Sequence, residues 1–577
     1  MSEIVVMEIP HPESSRLIMD DCRRLTGPSL VWERTGAILD VLIDDMDMDA
    51  VLDCWYRHVN QVLAQINWPD PELTHRRFEN GFNLVIAAPI DQLYAATLIL
   101  ETAWYYCVCE LLGIEARDPD VLVRDIHGEI REERNPALLE LQQSATEHLV
   151  DFLVDDDTVS VGHGEGSVSW AVDQVPASDQ IDWSGVHDVP VALITGTNGK
   201  STSVRLLDGI AKAAGQISGV TSTDFVRVGD DVLETGDYSG PGGARLLLRD
   251  PRVQAAFLEV ARGGILRRGL PLRRASAALV TNVARDHLGQ YGVNMLEALI
   301  ETKFVVREAL AEEGVLVTNA DDAGILAFME SADQDRVCWF SLDRAHPRIR
   351  QQLDRRGRCC FTDGDSIVYF DGREAQSVCA IDAIPMTMGG AARHNVQNAL
   401  GAIGVADAMG YSIEAIRQGL TRFNSDEHDN PGRLNSFDLK NGARVIVDFA
   451  HNAHSVAAVA DTVSRIPARQ KWALFGSAGD RSDDEIAAIA TGVCSLSPDY
   501  VVLAEVEQYL RGRAPGEVSE IMRQACINAG LSESQIKFAA SPLAGVRLAL
   551  AAMQADDLGL FLVLSERDEV IHLVGEY

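Results

Sequence analysis

Between residues 191 and 204 the chain reads VALITGTNGKSTSV, an apolar run that breaks into two glycines, a lysine and a group of hydroxyl side chains. Those residue types in that order can hold phosphate. A strand that ends in small residues and turns into a helix aims successive backbone N–H groups at one point, where the helix dipole favours an anion. The spacing departs from GxxxxGK[ST], because only Thr197 and Asn198 separate Gly196 from Gly199. The shorter loop keeps both the donors and the dipole. Lys200 then reaches the outer phosphates, Ser201 beside Thr202 offers a hydroxyl to Mg²⁺, and SVRLLDGIAKAAG (203 to 215) has the pattern of the following helix. An ordinary strand-turn-helix corner needs no such coincidence of types.

Other reactive side chains sit just after apolar runs. Glu259 closes QAAFLE, Asp286 and His287 follow TNVA, and Lys303 lies sixteen residues beyond His287 in a helical stretch. Each alone has a structural account, as a cap, a salt bridge or a satisfied imidazole. Their common position is what counts. The strands QAAFLEV (254 to 260), AALVTNV (277 to 283) and GVLVTN (314 to 319) alternate with helical patterns, which predicts a mainly parallel, doubly wound sheet with ligands at the strands' carboxyl ends. A second series starts near 431 with ARVIVDFA, KWALFGS, YVVLAEV and GLFLVLS. Ahead of both, residues 1 to 150 mix strand-like runs (LVWERTGAILDVLI, FNLVIAAP) with helical ones (AVLDCWYRHVNQVLAQI), as an α+β domain does. Residues 151 to 188 are acidic and rich in glycine and serine, the composition of a hairpin or linker. The expected fold class is α/β, with an N-terminal α+β domain over 1–185 ahead of a central α/β nucleotide-binding domain over 186–429 and a C-terminal α/β domain over 430–577.

The formal net charge is −36, and residues 1 to 190 hold 36 acidic against 11 basic side chains. That field disfavours nucleic acid and anionic membrane; it suits a basic partner or plain solubility. Only six lysines occur, and Lys200 is the first. A lysine inside a motif is therefore informative. Ten cysteines show no CxxC pairing, which fits free thiols in a reducing cytoplasm. The opening MSEIVVMEIPHPESS lacks the basic start and apolar core of a signal peptide, and LYAATLILETAWYYCVCELLG (93 to 113) contains Glu101 and Glu110, as a core helix does.

In order along the chain, GTNGKST (196 to 202), the glutamate of FLEVARGGI (257 to 265), TNVARDHLG (281 to 289) with Lys303, RHNVQNALGA (393 to 402) and VDFAHNAHS (447 to 455) resemble the nucleotide and metal motifs of the Mur ligase superfamily. GDYSGPGGAR (236 to 245), NPGRLN (430 to 435), GSAGDRSDDEI (476 to 486) and RGRAPGE (511 to 517) are similar to signatures of the Mur-like half of cyanophycin synthetases. GAILDV (36 to 41) and the helix AAPIDQLYAATLILETAWYYCVCELLG (87 to 113) resemble the amino-terminal domain of those enzymes.

The resemblance implies an ATP-dependent ligase that activates a carboxylate as an acyl phosphate and joins it to an amino-acid amine. It implies a Mur-ligase-like central domain followed by a Rossmann-like one. Gly196, Thr197, Asn198, Gly199, Lys200, Ser201 and Thr202 would hold the phosphates, with Mg²⁺ on Ser201 and Glu259. His287 and Lys303 would serve a second Mg²⁺, Lys303 as a carbamate, since an ammonium there repels the metal. Asn395 and Asn398 look like adenine-side residues; Arg433 and Asp448 look like phosphate and ribose contacts. Thr223 and Asp224 resemble an acceptor-side loop, and Arg511 and Arg513 are placed to meet a carboxylate of the incoming amino acid.

Cyanophycin synthetases carry an ATP-grasp ligase ahead of the Mur-like half, and the phosphate loop here arrives at 196. The expected reaction is one side-type addition, with a separate ATP-grasp ligase as a candidate partner and no polymerisation by this chain alone. A folylpolyglutamate-like ligase and a non-catalytic nucleotide-binding module that recruits a basic peptide are the rival readings. The oligomeric state stays open, with a homo-oligomer allowed.

Overall fold

The computed structural model describes residues 9, 11–68, 72–330 and 336–577. The opening stretch read for a signal peptide therefore lies mostly outside the described residues. In the N-terminal domain the strands Leu17–Leu25, Gly36–Ile43, Gly81–Ala87 and Leu73–Phe78 form an antiparallel sheet in that spatial order. Two long helices pack together beside it. Met48–Ile66 starts at an Asp47 cap and buries Val51, Trp55, Val59, Val62 and Ile66 along one stripe. Leu93–Leu112 is long and apolar enough to cross a membrane by length and composition, but 67% of that window is buried inside the protein. It is the core helix that its two glutamates predict.

The acidic stretch from 151 is a built element. Phe152–Val154, Thr158–Val161 and Val168–Ala171 form a three-stranded sheet, and Arg249 of the central domain pairs with Asp155 while Glu165 N donates to Val253 O at 2.9 Å. An ion pair and a backbone hydrogen bond thus tie this acidic segment to its neighbour.

The central sheet has eleven strands. Its parallel heart runs Ser218–Thr221, Ala255–Glu259, Val191–Thr195, Ala275–Val280, Leu310–Asn319, Val337–Ser341 and Cys359–Asp363, with antiparallel strands added at both edges. Both faces are covered. Helices Lys200–Ala213, Arg393–Ala408 and Ile413–Arg422 bury one face; Pro241–Leu248, Arg262–Arg268 and Leu296–Phe304 pack on the other. Alanine, valine and leucine dominate these strands because neither face meets water. The helix after the phosphate loop begins at Lys200, three residues earlier than its pattern predicts, since Gly199 takes a left-handed conformation as its N-cap.

The C-terminal domain orders Asn435–Asp438, Arg444–Asp448, Leu558–Leu562, Lys471–Phe475, Tyr500–Ala504 and Ile536–Ala539, all parallel except the first pairing. Two of these strands, NSFD and IKFA, are four residues long, too short to stand out by pattern.

Candidate functional site

The chain reverses from strand to helix at Gly196–Gly199 because two positions there exclude a side chain. At Gly196 (φ 142°) a Cβ would lie 1.9 Å from Thr281 Oγ1; at Gly199 (φ 88°) it would lie 2.3 Å from Asn398 Oδ1. The segment TNVA (281 to 284) braces the loop from beneath. Thr197 N donates to Asn282 O at 2.8 Å, Asn198 N to Asn282 Oδ1 at 3.0 Å, and the Thr281 hydroxyl to Asn198 O at 2.6 Å. A loop held this way keeps its outward N–H groups aligned. Lys200 Nζ donates to Thr197 O at 3.0 Å and so folds back over the loop.

The loop opens into a cleft of about 560 Å³ that is walled by both the central and the C-terminal domain. Lys200, Ser201, Glu259, His287 and Lys303 all line it. Glu259 is 2% exposed, and Thr223 N donates to its Oε2 at 3.4 Å while Oε1 has no protein partner. Burial pushes its carboxyl up from the ordinary range, and Lys200 opposes that rise. A buried carboxylate oxygen left open near the Ser201 hydroxyl suits a hard cation with oxygen ligands.

Lys303, on helix Leu296–Phe304, is 4% exposed, and its Nζ donates to Gly196 O at 2.9 Å. Burial, with Lys200 nearby, drives its amine well below the usual lysine range, against the pull of Asp286. His287 stands in a left-handed conformation (φ 51°) with a half-exposed ring, its Nε2 4.0 Å from Asp286 Oδ1. Asp286 accepts from Arg481 at 3.2 Å and from Asn452 Nδ2 at 3.4 Å. Burial works to raise its pKa, but His287, His451 and Arg481 together hold it below the ordinary value. One ligand atom each from Asp286, His287 and His451 falls within 4.8 Å of the others. His451 is pushed down to about 4, chiefly by burial, so its imidazole is neutral and free to bind a cation.

The remaining expected residues divide. Asn395 and Asn398 line the cleft, but Asn395 donates to Met386 O at 2.8 Å and Asn398 donates to Asn395 at 3.1 Å, directly behind Gly199. They shape the phosphate loop's back wall as much as any base pocket. Arg433 lies over the Phe449 ring at 4.9 Å and faces the cleft. Asp448 also lines it, yet its two oxygens accept from Leu434 N at 2.8 Å and Ala450 N at 2.7 Å, so it fixes the connection between the domains. Thr223 is open to the cleft. Asp224 is clamped by Arg205 and by Arg567, whose NH1 donates to it at 2.7 Å. Arg511 lines the cleft while paired with Asp480 at 2.5 Å. Arg513 does not line it: its guanidinium is spent on Asp483, Glu517 and the carbonyls of Gly479 and Arg481, which brace its own loop.

Sequence reasoning passed over His451, Asn452 and Arg481, which the C-terminal domain brings to the central one. All three lie inside quoted motifs, VDFAHNAHS and GSAGDRSDDEI, but nothing in either run tells which side chain crosses the boundary.

Residues 194–406 match the family description Mur ligase middle domain, and residues 432–562 match Mur ligase, glutamate ligase domain. The chain belongs to the Mur ligase superfamily. Among curated relatives, the cyanophycin synthetase of Nostoc sp. is 36% identical over 334 residues, 58% of this chain and 37% of that one. The UDP-N-acetylmuramoyl-L-alanyl-D-glutamate--2,6-diaminopimelate ligase of Geobacter metallireducens is 27% identical over 300 residues, 51% of this chain and 55% of that one. The match thus spans well under half the length of the cyanophycin synthetases. The solved structure of E. coli FolC with ADP and without folate substrate has a TM-score of 0.50 at 20% identity, covering 67% of this chain and 90% of that one, a likeness of fold.

Proposed function

We propose that this Mur-type ligase activates the carboxylate of a peptide-like or amino-acid acceptor with ATP and joins it to the amine of an amino acid. The observation that carries the reading is the convergence of Lys200, Glu259, His287 and Lys303 on one cleft closed by the C-terminal domain. In the first step an acceptor carboxylate oxygen attacks the γ-phosphorus, the bond to the β-phosphate oxygen breaks, and ADP leaves behind an acyl phosphate. In the second the amine attacks the acyl carbon, inorganic phosphate departs, and the amine's proton is lost. Phosphoryl transfer is mainly positioning and charge neutralisation. The loop amides and Lys200 hold the phosphates; Arg433 approaches from the hinge side.

Ser201 and Glu259 would hold one Mg²⁺. His287 with Asp286, His451 and a carbamoylated Lys303 would hold the other. Bound Mg²⁺ supplies charge neutralisation of the phosphate and carboxylate oxygens. The buried, undercharged Lys303 amine suits carbamoylation, because only a neutral amine adds CO₂, releasing one proton as the carbamate forms. Thr223 on the acceptor side and Arg511 on the amine side are the selective contacts we assign; Asp224, clamped by two arginines, positions the acceptor loop. Domain limits of 1–185, 186–429 and 430–577 go with this reading, as does a swing of the last domain about residues 425 to 433.

With no ATP-grasp module between the N-terminal domain and the phosphate loop, we assign single additions to a supplied acceptor. The test is phosphate release from ATP by the pure protein, screened over the twenty amino acids with acceptor candidates, arginine and lysine first. Release that needs both amine and acceptor supports the reading; release indifferent to both overturns it.

A further inference from the structure

Thr223 and Asp224 are neighbours with different partners. The Thr223 N–H donates to Glu259 Oε2 at 3.4 Å and its hydroxyl lies 3.4 Å from that of Ser201, so this residue touches both side chains assigned to the first Mg²⁺. Asp224 turns to two arginines from different domains. Arg205, 2% exposed on helix Lys200–Ala213, donates to Asp224 Oδ2, and Arg567 NH1 donates to Asp224 Oδ1 at 2.7 Å. Arg567 opens the helix Arg567–Glu576, which follows the C-terminal domain's strand Leu558–Leu562. Asp224 lines the nucleotide cleft; Arg567 stands behind it, outside the cleft.

The connection between the domains joins the same cluster. Arg205 NH1 also donates to Asn430 Oδ1 at 3.2 Å, and Asn430 Nδ2 reaches back to Thr202 Oγ1 at 3.4 Å in the first turn of the phosphate-loop helix. Two residues on, Gly432 (φ 70°) passes directly over Arg567: a Cβ there would lie 2.7 Å from Arg567 Cδ. The run NPGRLN needs its glycine to leave room for that side chain. Burial works to raise the Asp224 pKa, but Arg205 and Arg567 hold it below the ordinary carboxylate value, so the bridge is ionised at neutral pH. Arg433 is a further cation near Asp224, Glu259 a further anion near Arg205, and Asp568 accepts from Arg567 Nε at 3.1 Å. The NH1 arm is the one that crosses to the central domain.

We infer that Arg567 is a positioning residue for phosphoryl transfer: through Asp224 it fixes the C-terminal domain against the phosphate-loop helix and sets the loop that carries Thr223 beside Ser201 and Glu259. This rests on the ligase reading above and adds to it the contact by which the last domain acts on the metal side of the cleft. A carboxylate shared by two guanidinium groups is held in direction as well as distance. Without Arg567, Asp224 still has Arg205, so the central domain keeps its fold while the closing domain loses its hold on it. The interaction therefore counts in the closed arrangement where transfer occurs, and its loss lowers kcat and kcat/KM for ATP together.

The test is kinetics and small-angle X-ray scattering of full-length variants. Arg567→Ala lowers kcat for amine- and acceptor-dependent phosphate release at least about 10-fold, the scale of one charge-assisted hydrogen bond, with KM for ATP and melting temperature close to wild type. Arg567→Gln, which keeps the side chain over Gly432 and drops the charge, does the same, and Arg567→Lys regains part of the loss because an ammonium keeps the charge without the fork. Asp224→Asn with Arg567→Ala falls no further than the worse single variant, as partners in one bridge do, and Asp568→Ala retains wild-type kcat. With a non-hydrolysable ATP analogue and Mg²⁺ bound, Arg567→Ala scatters as a more extended particle than wild type. Wild-type kcat in Arg567→Ala and Arg567→Gln, additive losses in the double variant, or equal compaction of Arg567→Ala and wild type overturns the inference. Failure of the ligase reading looks different: no amine or acceptor raises phosphate release in wild type, and the difference in compaction persists.

Discussion

Asn198 and Asn452 exchange amide hydrogen bonds across the domain boundary, Asn452 Nδ2 donating to Asn198 Oδ1 at 3.1 Å and Asn198 Nδ2 to Asn452 Oδ1 at 3.3 Å. One belongs to the phosphate loop; the other caps the helix Ala453–Ser464 of the C-terminal domain, where its Oδ1 also accepts from Ser455 N at 2.9 Å. Asn452 further reaches Asp286, and Asn198 lies 2.9 Å from His454 Nδ1. The glycine loop of the central domain is thereby bonded directly to the C-terminal domain.

Asn452→Ala removes that pair and the cap together. The expected outcome is a fall of about 10-fold in kcat/KM for ATP, the scale of one or two net hydrogen bonds, with about 1 kcal/mol of stability lost from the cap. Steady-state kinetics and thermal melts separate the two effects. A lowered melting temperature with unchanged kinetics reduces the pair to a cap.

Lys200→Ala and Glu259→Ala each lower turnover by at least about 10²-fold, as removal of one preorganised charge-stabilising group does. Both variants are checked for a native melting profile first. Near-wild-type turnover in folded protein contradicts the site.

Gly199→Ala places a methyl 2.3 Å from Asn398 Oδ1 at a φ of 88°. A left-handed conformation costs an alanine about 1–2 kcal/mol before any clash, so nucleotide affinity and stability both fall. Adding Asn398→Ala relieves the contact and leaves the backbone strain, and calorimetry of analogue binding should register partial recovery.

If Lys303 is carbamoylated as proposed, native mass spectra of the active protein should show the added mass of one CO₂. Lys303→Ala abolishes activity, and millimolar-scale short carboxylates restore part of it by taking the carbamate's place near the cation. An unmodified amine in active, metal-loaded enzyme refutes this.

His394 and His451 are both pushed down to about 4 from 6.5, chiefly by burial. The unfolded chain takes up protons at these rings below about pH 6.5, and the folded protein does not until about pH 4. Their neutral burial therefore contributes its full stability above pH 6.5 and loses it as pH falls toward 4. His394→Gln should flatten the decline of melting temperature across that window, and an unchanged slope contradicts the assignment.

Much of this was legible in the residue order. The phosphate loop, Glu259 and the strand series follow from local rules, because glycine at left-handed positions and apolar strands covered on both faces leave marks in neighbouring residues. Lys303 was placed on its helix by the same logic. What crosses between domains was not legible. His451, Asn452 and Arg481 reach Asp286 and Asn198 only through the packing of one domain on another, and that packing leaves no periodicity. Arg513 misled for the converse reason: an arginine in a signature run has the type of a substrate contact, and only the fold reveals that Asp483 and Glu517 already occupy it. The hairpin read in the acidic stretch after 151 is present, but its third strand and its tie to Arg249, far away in sequence, were not legible.

The central claim is that the acceptor carboxylate itself attacks ATP. An acceptor labelled with heavy oxygen in its reacting carboxylate, turned over with ATP, Mg²⁺ and the amine identified by the phosphate-release screen, tests that claim most directly. An acyl phosphate must pass one labelled oxygen to the inorganic phosphate released with each amide bond formed. One label per phosphate is the predicted result; amide formation with unlabelled phosphate contradicts the account.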